Sequence, residues 1–259
     1  MKFVGAKSAI GGPAVSGIKP LGIFISSVDP ATTDIVAAAG FDFVVLDTEH
    51  GRLGRIEVEN HVRAAQAGGI VPLVRIAENT PFRIQSMLDV GAQGVVVPHV
   101  DDAVGAEAAV RASRYAPRGR RGMCPACHGG GWSLDRWRER TETADAEVMV
   151  IPIIESARAV DNIADILAVD GVDTVLFGPG DLSAEMGLDF NTERDRMDAA
   201  WNRCLDATRV AGKRMLAPTG LGYDEADLMI APMELMLLRD LTGRMVRDHR
   251  GAAKGDGNA

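Results

Sequence analysis

Cysteine is scarce in this chain: only Cys124, Cys127 and Cys204 occur among 259 residues. So few thiols exclude a secreted scaffold held by disulfides. Long apolar runs are also absent. No stretch approaches the roughly 18 apolar residues that a membrane-spanning helix needs. The opening MKFVGAKSAIGG lacks the sustained apolar run of a secretory leader. Positive charge is in deficit, with a formal net charge of -8 at pH 7. That argues against nonspecific nucleic-acid binding and against an anionic membrane surface. It leaves room for a small anionic substrate, because a few local arginines can dominate one pocket. No glycine-rich dinucleotide fingerprint follows the first apolar run, and GAQG at 91–94 precedes a strand rather than following one. These absences predict a cytoplasmic protein with neither nucleic acid nor membrane as partner.

What the chain has is rhythm. Hydrophobic residues make up 46% of it, enough for a large core. Short apolar runs alternate with longer amphipathic segments. Strands are expected at 21–25, 41–47, 70–76, 94–98, 148–154, 173–178, 213–218 and 227–232. Helices are expected after Pro30 and over 56–67, 81–90, 101–114, 134–144, 156–169, 191–211 and 233–246, with a short one inside 178–187. The connection between the last two strands has room for a turn or two of helix. Residues 116–133 (APRGRRGMCPACHGGGWS) break the rhythm and read as a long irregular loop. Eight strands mostly separated by helices predict an α/β fold of the (β/α)8 TIM-barrel type, with an open doubly wound sheet as the alternative. Residues 1–250 read as a single barrel domain and 251–259 as a flexible polar tail.

In such a barrel, catalysis belongs at the C-terminal ends of the strands. Asp47, Arg75 and Glu155 fall at three of those ends. Glu49, His50 and His99 sit in the loops beyond, and Asp181 in a Gly-Pro-Gly-Asp turn that opens a helix. Glu155 and Asp181 suit a hard divalent cation, which takes oxygen ligands and keeps water sites a keto acid can fill. They read equally as helix caps, with Ser183 competing for that role beside Asp181. Arg75 suits a carboxylate or a developing oxyanion, or else a rim salt bridge. Asp47 and His50 read as a carboxylate–imidazole pair, or as a packed polar loop. The backbone at Gly178, Pro179, Gly180 and Asp181 is a candidate anion cradle ahead of a helix.

The segments LGIFISSVDP, AAAGFDFVVLDTEHG, VPLVRI, MLDVGAQGVVVPHV, RGRRG, IIES and FGPGDLSAEMG occur in one order across most of residues 20–190. Together they resemble the class II pyruvate-dependent aldolase family. It includes 2,4-dihydroxyhept-2-ene-1,7-dioate aldolase, 2-keto-3-deoxyrhamnonate aldolase and 2-dehydro-3-deoxyglucarate aldolase, within the phosphoenolpyruvate/pyruvate barrel group. The resemblance implies a carbon–carbon lyase of aromatic or sugar-acid catabolism. It would reversibly cleave a 4-hydroxy-2-oxo acid to pyruvate and an aldehyde through a metal-bound pyruvate enolate. It implies Glu155 and Asp181 as ligands of Mg²⁺, Mn²⁺ or Co²⁺, and Arg75 as the group on the keto oxygen. It implies His50 for proton transfer through a water, with Asp47 as its carboxylate partner and Glu49 as an acid near that water. Asp89 matches an aspartate tied to the site region and to subunit contacts. A homo-oligomer, trimer or hexamer, is implied, with the last helix swapped between subunits. No Schiff-base lysine is implied, and Lys213 lies at the wrong end of its strand for one.

Several positions depart from the family pattern. Ile153 stands where many members carry a substrate-touching glutamine. MCPACHGGGW follows RGRRG, so Cys124, Cys127 and His128 suggest a reshaped lid over the acceptor pocket, a plain surface loop, or a zinc site lacking its fourth ligand. APMEL follows the last strand, leaving Glu234 without a clean equivalent. His99 reads as an acceptor-pocket residue or a packed loop histidine, and Trp132 and Trp137 as lid or interface packing. Ile153 and the altered segment after RGRRG keep one alternative open: another carbon–carbon lyase on the same enolate, of the oxaloacetate decarboxylase or acyl-CoA-related kind. A barrel that binds a keto acid without turning it over is a further alternative of a different class.

Overall fold

The computed structural model describes residues 5–11, 17–189 and 192–255. Eight apolar segments form strands: β1 (Leu21–Ile25), β2 (Phe43–Asp47), β3 (Val71–Arg75), β4 (Gly94–Val97), β5 (Met149–Ile154), β6 (Thr174–Phe177), β7 (Arg214–Pro218) and β8 (Leu228–Ala231). Each pairs in parallel with its neighbours in chain order, and β8 closes onto β1. The sheet is a closed barrel, so the open-sheet alternative falls.

Side chains alternate across a strand, and that period of two sorts the strand residues into two cores. Phe43 and Val45, Val71 and Leu73, and Met149, Ile151 and Ile153 fill the barrel interior together with Leu176, Leu216, Leu228 and Ile230. The alternate residues, among them Val44, Leu46, Val74, Val95, Val150 and Val175, pack outward against the helices. The same parity carries three polar residues to the barrel mouth. Asp47 continues the inward series 43, 45; Arg75 continues 71, 73; and Glu155 continues 149, 151, 153.

The helices are α1 (Ala6–Ile10), α2 (Ala31–Ala38), α3 (Arg55–Gly68), α4 (Pro81–Asp89), α5 (Ala103–Ser113), α6 (Trp137–Glu147), α7 (Ala157–Asp161), α8 (Ile163–Ala168), α9 (Pro179–Glu185), α10 (Arg194–Val210) and α11 (Glu234–Gly255). Four of these places differ from the sequence-based expectation. Helix α1 was not anticipated; its Ala6 and Ile10 join the interior core, and Arg214 bonds the Ile10 carbonyl, so it plugs the N-terminal end of the barrel. The helix expected over 156–169 breaks at Asn162, whose side chain turns to the Asp101 carbonyl at 2.9 Å. Turns alone join β7 to β8. Helix α11 runs to Gly255, so the first part of the expected tail 251–259 is helical, and 256–259 lie outside the described residues.

The irregular segment after α5 requires a correction. A helix that follows a strand returns the chain to the N-terminal end of the barrel, and this segment follows α5 rather than β4. It packs there against the end of α4, where Gly129 N–H donates to the Asp89 carbonyl at 2.9 Å. It is therefore not a lid over the mouth of its own barrel. Its Cys127 thiol donates to the Cys124 carbonyl at 3.2 Å and accepts from Gly130 N–H at 3.3 Å.

Candidate active site

Strand register builds the first part of the site. Asp47 and Arg75 are direct partners across β2 and β3. The Arg75 fork donates from Nε to Asp47 Oδ1 at 2.9 Å and from Nη2 to Oδ2 at 2.7 Å. Asp47 is fully buried, and its Oδ1 also accepts the backbone N–H of Glu49 at 3.0 Å and of His50 at 3.3 Å. One carboxylate thus aims the arginine and shapes the loop beyond β2. The guanidinium lies 4.8 Å from the centre of the Phe24 ring, a cation–π contact that fixes its plane. Phe24 escaped sequence reasoning, although its inward parity in β1 was available as a signal.

The expected Asp47–His50 side-chain pair is not formed. Asp47 spends its lone pairs on Arg75 and on backbone amides. The carboxylate beside the His50 ring is Glu49, with Oε2 3.8 Å from Nε2, and the ring is largely exposed. Glu49 is itself mostly buried and lies 3.4 Å from Arg75 Nη1.

Glu155 follows β5 and is 6% exposed. Its Oε1 accepts the His99 backbone N–H at 2.7 Å. That geometry holds His99 at a φ of 54°, a left-handed conformation uncommon for a residue with a Cβ. The His99 ring then stands between two acids, with Nδ1 3.4 Å from Glu155 Oε1 and Nε2 3.6 Å from Glu49 Oε1. Burial pushes the Glu155 carboxyl above its ordinary range, the His99 amide and ring oppose that, and the charges of Asp181 and Glu49 add to it. Ile153 lies directly beneath, in the interior core, as an apolar floor. Gly178 lets β6 pass this corner: a Cβ there would come within 2.8 Å of Ile153 Cγ2 and 2.9 Å of Glu155 Cβ.

Asp181 occupies the first turn of α9, behind Gly178 and with Pro179 as the first helical residue. It is exposed, and its side chain makes no hydrogen bond among the described residues. Neither carboxylate caps a helix. Ser156 caps α7 by accepting Ala159 N–H at 3.0 Å, and Gly178 precedes α9 without a side-chain cap. Among the described residues no three His, Cys, Asp or Glu side chains gather as a metal-binding group.

Two further placements complete the rim and limit it. Glu234, at the start of α11, accepts from Ser26 N–H at 2.9 Å and Ser27 N–H at 2.7 Å, tying the end of β1 to the last helix. Sequence reasoning saw Glu234 only as a departure. Asp89 is not brought to the rim. It ends α4 at the opposite end of the barrel and pairs with Arg121 at 3.0 Å.

A closed parallel barrel with acids, an oriented arginine and two histidines gathered at the C-terminal ends of its strands is the architecture of a barrel enzyme. Residues 20–230 match the family described as HpcH/HpaI aldolase/citrate lyase, and the chain belongs to that family. It is a carbon–carbon lyase. It is similar to the 4-hydroxy-2-oxo-heptane-1,7-dioate aldolase of Salmonella arizonae, with 35% identity over 221 residues, 85% of this chain and 82% of that one. Its fold matches the crystal structure of an HpcH/HpaI aldolase from Desulfitobacterium hafniense with a TM-score of 0.85 and 28% identity, covering 91% of this chain and 94% of that one. The crystal structure of the citrate synthase SbnG matches with a TM-score of 0.79 and 31% identity, covering 93% and 95%.

Proposed function

We propose that this chain is a divalent-metal-dependent aldolase that cleaves a 4-hydroxy-2-oxo acid to pyruvate and an aldehyde. The observation that carries this reading is the convergence of the Arg75 fork, locked by Asp47, with Glu49, Glu155 and Asp181 on one rim.

The donor set fits a hard cation. Burial, together with the charges of Asp181 and Glu49, makes the Glu155 carboxylate costly to ionise, and the Asp181 side chain has no hydrogen bond or ion pair among the described residues. Glu155 and Asp181 would hold Mg²⁺, Mn²⁺ or Co²⁺, leaving other positions to water and substrate. When bound, the cation supplies Lewis-acid stabilisation of negative charge at the 2-oxo group.

The chain's own residues do the rest. Arg75 donates to the 2-oxo oxygen, where charge collects as the C3–C4 bond breaks. Asp47 and Phe24 hold its fork in that aim. His50, exposed at the mouth beside Glu49, takes the 4-hydroxyl proton through a water. The bonding pair passes to C3, the aldehyde departs, and protonation of C3 yields pyruvate. The backbone from Gly178 to Asp181 receives the substrate carboxylate. Ile153 offers no hydrogen bond where many relatives present a glutamine, so this part of the pocket favours an apolar contact.

The apolar face of α11, with Leu238, Leu241 and Met245 exposed, supports a homo-oligomer in which the last helix packs on a neighbour. Asp89, at the far end of its own barrel, would meet a catalytic rim only in such an assembly.

The test is pyruvate release from 4-hydroxy-2-oxo-heptane-1,7-dioate and shorter 4-hydroxy-2-oxo acids. Release that stops with a chelator and returns with Mg²⁺ or Mn²⁺ supports the reading. The likeness to a citrate synthase favours one second reading, carbon–carbon chemistry on oxaloacetate. Turnover of oxaloacetate without any cleavage of 4-hydroxy-2-oxo acids would select it.

A further inference from the structure

The two ladders that flank β1 stop at different heights. Towards β2, pairing runs as far as Ile25 and Leu46. Towards β8 it runs only as far as Ile23 and Ala231. Pro232 follows Ala231, and a proline has no N–H with which to continue a ladder. The end of β1 therefore reaches the barrel mouth with no strand along one edge.

Glu234 closes that edge with a side chain. Its Oε1 accepts the Ser26 N–H at 2.9 Å, the Ser27 N–H at 2.7 Å and the Ser27 hydroxyl at 2.7 Å. Its Oε2 also lies 3.1 Å from the Ser26 amide. Bonds to an ionised acceptor are stronger than neutral ones, so this is a firm tie. The other side of the loop is held by His61, whose Nε2 lies 2.9 Å from the Ser27 carbonyl. A carbonyl only accepts, so Nε2 carries the proton and the Thr33 hydroxyl donates to Nδ1 at 2.7 Å. Side chains from α11 and α3 thus fix the loop that follows β1.

That loop bears on the site through Phe24. Gly22 and Phe24 face the barrel interior: a Cβ on Gly22 would run into the Phe43 ring, and Phe24 packs against the interior core. Ser26, which is buried, continues this inward series at the mouth. Phe24 is the residue whose ring lies 4.8 Å from the Arg75 guanidinium. It stands one residue past the last pairing with β8, so on that side the nearest tie is the one Glu234 makes.

We propose that Glu234 is a positioning residue for the lyase reaction: through the Ser26–Ser27 loop it holds the Phe24 ring against Arg75. Asp47 directs the arginine fork, Phe24 sets its plane, and Glu234 fixes Phe24. Because Glu234 opens α11, the aim of the arginine is tied to the last helix. The inference rests on the reading of Arg75 as the group on the 2-oxo oxygen. A loosened aim weakens interactions with charge that develops in the transition state, so it lowers kcat more than it raises KM.

The experiment is a double-mutant cycle of Glu234→Ala and Phe24→Leu, read by pyruvate release from a 4-hydroxy-2-oxo acid. Glu234→Ala alone should lower kcat about tenfold and change KM less than about twofold. In the Phe24→Leu background the same change should cost less than about a further twofold, because the ring through which Glu234 acts is already gone. Glu234→Gln, which keeps one acceptor oxygen but no charge, should lose less than Glu234→Ala, and it carries the same cycle if Glu234→Ala fails to fold. Crystal structures of the wild type and the Glu234 variant read the geometry without turnover: the Phe24 ring should leave Arg75 in the variant. A wild type that cleaves no 4-hydroxy-2-oxo acid fails the aldolase reading, and the crystal structures then decide whether Glu234 places Phe24. An equal fall of kcat in both backgrounds, unchanged kcat, a change confined to KM, or a Phe24 ring unmoved in the variant overturns the proposal.

Discussion

Asp47 and Arg75 depend on each other. Asp47 has no solvent to fall back on, so Arg75→Ala would strand a buried charge. The expected cost is about 3–5 kcal/mol of stability, with a roughly 10²–10³-fold loss of turnover. Denaturant midpoints and initial rates measure the two losses separately. Arg75→Lys, which keeps the charge but loses the fork, should recover stability more than rate. His61 offers a test by pH. It is fully buried between the Thr33 hydroxyl at 2.7 Å from Nδ1 and the Ser27 carbonyl at 2.9 Å from Nε2. Burial holds its pKa below the usual 6.5, against the raising influence of the Ser27 carbonyl and of Glu234, Asp29 and Asp34. The unfolded chain therefore binds this proton more readily than the folded one. The stability His61 contributes is present above about pH 6.5 and is lost as pH falls through the depressed folded value. His61→Gln should flatten that part of the pH–stability curve relative to the wild type; parallel curves would show that His61 is not its source. Arg75, Glu155 and Asp181 were legible in the sequence because strand ends and a helix-opening turn fix their direction. The His50 pairing was not, because the Arg75 fork across the strands and the backbone amides of Glu49 and His50 occupy the same carboxylate. Glu49 gained importance for the same reason.

At the scale of elements, the strands were readable because each is a short apolar run buried on both faces. The placement of the 116–133 segment was not readable from its composition. Its end of the barrel follows from whether a strand or a helix precedes it, and α5 decides that. The split between α7 and α8 depends on Asn162 reaching Asp101, a contact across the fold that local periodicity does not carry. Ser156 marks an element boundary that sequence and structure share. Ser156→Ala should cost about 1 kcal/mol by removing the α7 cap. Because Glu155 is anchored from the other side by the His99 amide, turnover should fall by much less than for any rim variant. A denaturation curve and a rate measured on the same sample would separate the two effects. A loss of rate as large as that of Arg75→Ala would mean that the cap, rather than His99, positions Glu155.

At the scale of the whole molecule, the barrel gathers its acids at the C-terminal ends of its strands, and α11 carries an exposed apolar face. Leu238, Leu241 and Met245 fall at i, i+3 and i+7 of that helix and are each at least half exposed. If the proposed homo-oligomer forms through this face, replacing Leu238 and Leu241 by Glu should lower the molar mass seen by light scattering; an unchanged mass would contradict association through it. The proposed function rests most on the two carboxylates that cap nothing, Glu155 and Asp181. Mn²⁺ binding, followed by electron paramagnetic resonance on the wild type, Glu155→Gln and Asp181→Asn, tests that assignment most directly. Each variant should lose affinity by more than the roughly 10–100-fold expected for a residue that merely supports a ligand. Wild-type affinity in both variants, with pyruvate release intact, would contradict the assignment.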